Sequence, residues 1–273
     1  MSAAELRRRL ATGERHVSPF LMLGDPSPGA CVQLCRALVD AGARMLELGI
    51  PYADPSADGP AVQAAGRRAL QAGVSTDVAL QTLRDVRDAC PTTPCNLLVY
   101  GNLVHARGYD RFCRDAVLAG ASSLLVPDIP LEEGSDLRAA CVEHDLGVVL
   151  LAGPRTPPAR LEEIDESADA FVYLAGHQGI TGAQKSSDDR RRALVARVRE
   201  IVQSPLCVGF GLGAREHVAT VHDAGAQLAV VGSHLLRVLA HALERHEGDG
   251  RQVLCDVTQA FQQLIPTENP KCS

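Results

Sequence analysis

Short runs of apolar residues recur along the chain. After each comes a longer stretch in which apolar positions fall three and four residues apart. The runs occupy 20–23, 45–50, 95–100, 123–126, 147–152, 170–175, 206–210 and 228–231. Runs this short, apolar at nearly every position, predict strands covered on both faces, as in a parallel sheet. The spaced stretches predict amphipathic helices over 31–41, 61–72, 77–89, 109–119, 131–144, 158–166, 188–202, 215–224, 233–246 and 251–264. Three of them should end alike. Asp40-Ala41-Gly42, Leu118-Ala119-Gly120 and Asp223-Ala224-Gly225 each put glycine where a left-handed residue closes the last turn. Eight such units suit a closed ring better than an open doubly wound sheet, and no Gly-x-Gly-x-x-Gly follows the first run. The expected architecture is α/β: a (β/α)8 TIM barrel formed as a single domain over 1–273, with a short N-terminal helix and an extra C-terminal helix.

One run breaks the apolar pattern. The segment from Leu46 to Gln63 starts as a strand, breaks at Pro51, crosses a loop holding Asp54 and Asp58, and opens a helix at Gly59-Pro60. Alternation along a strand sends Leu46, Leu48 and Ile50 one way and Met45, Glu47 and Gly49 the other. A charge on a strand buried on both faces needs a reason. If Leu46, Leu48 and Ile50 pack on the helices, Glu47 faces the barrel interior. A strand-borne carboxylate opposite a loop-borne one suits proton transfer. The plainer alternative makes Asp58 a helix N-cap and Glu47 a carboxylate satisfied by backbone donors.

Composition narrows the function. A net charge of −6 argues against a nucleic-acid or anionic-membrane surface. No apolar run is long enough to span a bilayer, and the N-terminal residues read as an amphipathic helix rather than a signal peptide, so a cytoplasmic enzyme is expected. The nine cysteines include no Cys-x-x-Cys pair and read as reduced, core-filling thiols, with Cys31 and Cys35 beside Leu34 and Leu38 and with Cys113, Cys141 and Cys255 in helical patterns. His144, His217, His222 and His246 read as solvated, whereas His105, His177 and His234 sit where they could approach a site. Lysine occurs only as Lys185 and Lys271, and no strand ends in lysine, which disfavours a Schiff-base aldolase. A metal-dependent lyase would draw on Asp25, Asp128 and His177, but their spacing does not require a metal.

Active sites of such barrels occupy the C-terminal mouth, where the loops leave the strands. These loops offer Asp25, Glu47 with Asp54 and Asp58, Tyr100, Asn102, Asp128, Arg155 and His177 with Thr181. Three late loops are glycine-rich: Gly179-Ile180-Thr181-Gly182, Gly209-Phe210-Gly211-Leu212-Gly213 and Gly232-Ser233. Their N–H groups, with a helix opening at Ser233, could hold a phosphate without a basic patch. The alternative is that the glycines simply turn the chain.

The segment from Glu47 to Gln63 closely resembles the signature of the tryptophan synthase alpha chain family. The likeness continues through Leu23-Gly24-Asp25-Pro26, Tyr100-Gly101-Asn102, the segment from Val126 to Glu133, Gly179 to Gly182, Val208 to Gly211 and Val231 to Ser233. It implies a lyase of tryptophan biosynthesis that cleaves indole-3-glycerol phosphate to indole and glyceraldehyde 3-phosphate, with no cofactor and no metal. By the same resemblance, Glu47 is the proton-shuttling carboxylate and Asp58 accepts the indole N–H. Phe20, Leu98, Tyr100, Ile129, Tyr173 and Phe210 would form the indole pocket, and Thr181, Gly182, Gly211, Gly232 and Ser233 the phosphate cradle. The implied partner is a pyridoxal-phosphate beta chain in an alpha2beta2 tetramer. The alternative is a stand-alone lyase that releases indole, and a third reading is an idle homologue that only binds a partner. The chain departs from the family pattern at Gly176-His177-Gln178, where a serine is usual, and at Arg155 and Met22, where threonines are usual.

Overall fold

The computed structural model describes residues 3–176 and 187–266. Among these residues lie eight strands: β1 (His16–Met22), β2 (Leu46–Gly49), β3 (Cys95–Leu98), β4 (Ser123–Leu125), β5 (Gly147–Ala152), β6 (Phe171–Leu174), β7 (Leu206–Val208) and β8 (Leu228–Val231). All pair in parallel with their sequence neighbours, and β8 pairs back with β1, so the barrel is closed. The expected α/β barrel is the observed one. Closure leaves no unpaired strand edge, and nearly every strand residue is buried, as the uninterrupted apolar runs require.

The helices before and between these strands are α1 (Ala3–Leu10), α2 (Pro28–Asp40), α3 (Pro60–Gln71), α4 (Thr76–Ala89), α5 (Gly101–Arg107) and α6 (Tyr109–Ala119). They continue with α7 (Ser135–Glu143), α8 (Pro158–Ser167), α9 (Ser187–Arg199), α10 (Arg215–Asp223), α11 (Ser233–Arg245) and α12 (Gly250–Leu264). Local chemistry fixes their starts: Ser27 caps α2 and Ser75 caps α4 through their side-chain oxygens. Gly42, Gly120 and Gly225, the three expected terminators, have φ of 111°, 103° and 108°. Among the described residues no helix is long and apolar enough to cross a membrane.

Four expectations need correction. The first strand begins at His16 rather than 20, because His16 and Ser18 are polar residues that face inward and escape an apolar-run criterion. The short helix α5 lies where a loop was expected, and it forms against Ile129, which leaves no room for a side chain on Gly101. His222 is buried, not solvated, and a ring nitrogen lies 2.9 Å from the Ala226 carbonyl. Cys255 is exposed on α12, whereas the other described cysteines are buried free thiols.

The extra C-terminal helix packs across α11 and α2 with Val253, Val257, Phe261 and Leu264 turned inward. Phe261 is fully buried, so Phe261→Ala should destabilise the fold by about 3–5 kcal/mol, lost transfer energy and a residual cavity combined. Urea unfolding measures this, and a loss under about 1 kcal/mol would mean that α12 is not part of the cooperative core.

Candidate active site

Strand register sets the site. Phe20 on β1, Glu47 on β2, Asn96 on β3 and Ser123 on β4 stand opposite one another in successive pairs, so they share one face of the sheet. That face is the inside. The Tyr173 hydroxyl, on β6, donates to Glu47 Oε1 at 3.1 Å, and β6 lies four places round the ring from β2, so the two side chains meet across the interior. The Asn96 amide donates to Glu47 Oε2 at 3.3 Å, and the Ser123 hydroxyl donates to Asn96 Oδ1 at 2.8 Å. Leu46, Leu48 and Ile50 are buried on the opposite parity.

Glu47 is 2% exposed, and burial pushes its carboxyl up to about 7, against the hydrogen bonds from Tyr173 and Asn96 that favour the ionised form. Tyr173 itself is held far above its ordinary value by burial and by the Glu47 charge, so it remains a donor. A side chain on Gly209 would collide with the Tyr173 hydroxyl, and glycine there gives the phenol its place.

Asp58 is half-buried in the loop between β2 and α3. The N-cap of α3 is Gly59, with no side-chain cap, so the N-cap reading of Asp58 is excluded. Burial pushes the Asp58 carboxyl up to about 6, opposed by a hydrogen bond with the Tyr100 hydroxyl. That hydroxyl also accepts from Ala57 N at 3.0 Å, and Tyr52 stacks on the Tyr100 ring at 5.2 Å. Asn102 completes the cluster by donating to the Tyr52 hydroxyl at 2.8 Å. Tyr173 lies within the field of both Glu47 and Asp58, so the two acids share one phenol as a neighbour.

At the same end of the barrel Phe20 reaches from Gly49, where a Cβ would stand 2.9 Å from its ring, to Gly232, where a Cβ would stand 3.3 Å away. Leu98 pairs with Gly49 and Leu125, which sets it on the same inner face. Phe210 lies directly over Gly176 at the end of β6. Gly211 has φ +65° and offers its carbonyl to Arg191 Nη2 at 3.0 Å. Gly232 is the N-cap of α11 and Ser233 its first residue, so free helical N–H groups open at the end of β8. Ile129 stands apart from this group, wedged between Gly101 and Gly134 and lining a small cavity with Leu124, Val126 and Leu137 behind the sheet. Thr181 and Gly182, like His177, Lys185 and Lys271, lie outside the described residues.

The remaining mouth candidates have other occupations. Asp25 is buried and gripped at both oxygens by Arg68, at 2.7 and 2.6 Å. Asp128 accepts from Gly101 N at 2.8 Å, while Asp54 and Arg155 are exposed. His105 meets Tyr109 edge-on, and His234 packs by Gly213. Among the described residues no three His, Cys, Asp or Glu side chains are grouped to hold a metal. Sequence reasoning missed Asn96, Ser123 and Tyr52. Asn96 carried a usable signal, since a polar residue inside an apolar strand is the same anomaly that singled out Glu47.

A closed parallel barrel whose mouth holds two carboxyls, both raised toward neutrality and borne by one strand and the loop leaving it, has the architecture of the TIM-barrel class and side chains suited to acid–base chemistry. The model of the family described as tryptophan synthase alpha chain matches residues 6–265. Tryptophan synthase alpha chains of Methanothermobacter thermautotrophicus and Corynebacterium glutamicum are 40% and 37% identical to this chain, covering 90% and 88% of it and 90% and 86% of those proteins. The solved tryptophan synthase alpha subunit of Legionella pneumophila superposes with a TM-score of 0.84 at 30% identity, covering 97% of this chain and 98% of that one. A chain from the tryptophan synthase a2b2 complex of Pyrococcus furiosus gives 0.83 at 32% identity, covering 91% and 97%. The chain belongs to the tryptophan synthase alpha chain family.

The acid pair should mark the stability profile. Glu47 and Asp58 have folded pKa values above their ordinary ones, so the folded chain binds more protons than the unfolded chain across that window. Their contribution is fully present below the ordinary carboxyl range and is lost as pH rises through about 6 and about 7. The melting temperature of Glu47→Gln should therefore gain on that of the parent as pH is raised from about 5 to about 8. A difference independent of pH would show that Glu47 titrates normally.

Proposed function

We propose that this chain cleaves indole-3-glycerol phosphate to indole and glyceraldehyde 3-phosphate, as the alpha subunit of a tryptophan synthase. The observation that carries the reading is Glu47, buried inside the barrel mouth with a carboxyl pushed up to about 7 and neutral hydrogen-bond partners. Such a group accepts and returns a proton near neutral pH with little driving force lost in either direction.

The reaction needs that ability twice. The hydroxyl on the carbon attached to the indole ring gives up its proton, and indole C3 takes one. The C–C bond then breaks, its electrons returning to the ring while the former alcohol carbon becomes the aldehyde of glyceraldehyde 3-phosphate. Glu47 serves both transfers, so no net proton is consumed. Asp58 accepts the indole N–H and stabilises the positive charge that develops on the ring when C3 is protonated. Phe20, Leu98, Tyr100, Tyr173 and Phe210 supply the apolar pocket and Ile129 its outer support. Main-chain N–H groups at Gly211, Gly232 and Ser233, together with Thr181 and Gly182, hold the phosphate, aided by the helix dipole of α11. Residues 1–273 act as one domain, and the enzyme is a carbon–carbon lyase of the cytoplasm. Its partner is a beta chain that receives the indole.

Indole release by the purified chain, alone and with a tryptophan synthase beta chain, tests the reading. Activity should be low alone and rise on mixing. Glu47→Gln should lower kcat by roughly 10²–10⁴-fold without loss of phosphate-ester binding. No indole from the parent chain in either arm would sink the assignment. The pH profile adds a second check: kcat/KM should fall on acidification through about 7 and about 6, as Glu47 and then Asp58 take up protons and lose the ability to accept. A flat profile across that range would remove both acids from the mechanism.

A further inference from the structure

The Asn96–Ser123 pair behind Glu47 is not needed for the proton transfers described above, yet it is built with care. Glu47, Asn96 and Ser123 stand in one register row on three adjacent strands, and all three are buried, at 2%, 0% and 0% exposure. Polar side chains in a barrel interior are costly unless fully partnered, and an aliphatic residue would satisfy the apolar pattern of either strand. The orientation of the amide is fixed by its neighbours. Ser123 donates to Oδ1 at 2.8 Å, which turns the NH₂ group toward Glu47 Oε2 at 3.3 Å. The flipped amide would set its carbonyl oxygen against a carboxylate oxygen, acceptor to acceptor.

We propose that Asn96, oriented by Ser123, is a positioning residue for the Glu47 proton shuttle: its amide holds Oε2 as an acceptor and leaves Oε1, on the Tyr173 side, as the oxygen that takes and returns the proton. The inference rests on the reaction proposed above and deepens it. An amide N–H can donate but not accept, so Asn96 stabilises the ionised carboxyl and opposes protonation at Oε2. Proton traffic is thereby confined to one oxygen of a carboxyl whose rotamer is pinned from behind. The other groups facing Glu47 do not duplicate this role. Phe20 on β1 is apolar, and Cys207 on β7 is a buried thiol held neutral well above its ordinary value. Tyr173 on β6 donates to the other oxygen, but its hydroxyl, unlike the amide NH₂, can turn to accept when that oxygen carries the proton. Asp58, across the cavity, carries like charge and cannot favour ionisation of Glu47.

The test uses Asn96→Leu, which keeps size and removes the amide, and Ser123→Ala, which frees the amide to rotate. Infrared difference titration of the Glu47 carboxyl band, assigned by its loss in Glu47→Gln, reads the ionisation without substrate. The midpoint should move up by about one pH unit in Asn96→Leu and by less in Ser123→Ala. With indole-3-glycerol phosphate, the acid limb of kcat/KM should move by the same amount. At neutral pH kcat should fall roughly 10-fold with KM little changed, and part of the loss should be recovered at higher pH. A merely structural role would leave both the midpoint and the limb in place. An unmoved infrared midpoint in a folded Asn96→Leu overturns the proposal even if the parent enzyme is active. A shifted midpoint in a chain that releases no indole upholds the control of Glu47 while removing the reaction assigned to it.

Discussion

A carboxyl held inside a closed barrel by neutral donors is the condition on which the rest of the site depends. The contrast with Asp25 shows why. Both acids are 2% exposed and both lie at the C-terminal mouth. Burial raises the Asp25 carboxyl too, but the Arg68 guanidinium clasps both its oxygens, opposes that rise with a full positive charge and fixes its place. Glu47 has an amide on one oxygen and a phenol on the other, and neither supplies a positive charge. Isolated burial of a charge costs several kcal/mol, and the group responds by holding its proton more tightly. Burial raises both acids, but only Asp25 has a cation to oppose it, and the difference between a clamped acid and one free to exchange a proton lies in the partner.

The barrel achieves this with residues far apart in sequence. Tyr173 reaches Glu47 from the far side of the ring, and the space for its hydroxyl is the space that Gly209 leaves empty just after β7. Phe20 does comparable service at the other end. Its ring lies over Gly49 beside the acid row and its stem against Gly232, where the helical N–H groups of α11 begin. One rigid aromatic side chain thus spans from the row that carries Glu47 to the N-terminus of α11. Strand register holds such spacings more firmly than loops could.

Much of this was legible in the sequence because it depends on period and punctuation. Unbroken apolar runs marked the strands, and the glycines at the ends of α2, α6 and α10 fell where positive φ is found. Glu47 stood out as a charge in such a run, and alternation alone turned it inward. What stayed hidden depends on contacts between strands. Ser123 opens an apolar run and looks like an ordinary strand start until β3 and β4 are paired. His222 sits in a polar helical stretch, yet packing at the end of α10 buries it. The helix α5 is too short for periodicity to register and forms because Gly101 lets Ile129 approach. Ile129 itself matches a family motif, but its side chain supports the mouth from behind the sheet.

Among the described residues, the departures from the family pattern at Met22, Arg155 and Gly176 leave the acid row untouched, and Met22 shows what such a change can do. Its thioether lies against Gly49, with Sδ 3.1 Å and the Cε methyl 3.2 Å from where a Cβ would stand, and the methyl also reaches Gly66 on α3. Two residues at the end of β1 therefore hold α3. Met22 does so by packing, and Asp25 by gripping Arg68 two residues further along. The loop bearing Asp58 runs directly into the first turn of that helix, where the Gln63 amide donates to the Asp58 carbonyl at 2.9 Å. A threonine in place of Met22 would be too short to reach α3. The longer side chain therefore adds an apolar brace between the strand pair that carries Glu47 and the helix that anchors Asp58. Packing at β1, and not the loop alone, thus bears on where α3 and the Asp58 loop sit.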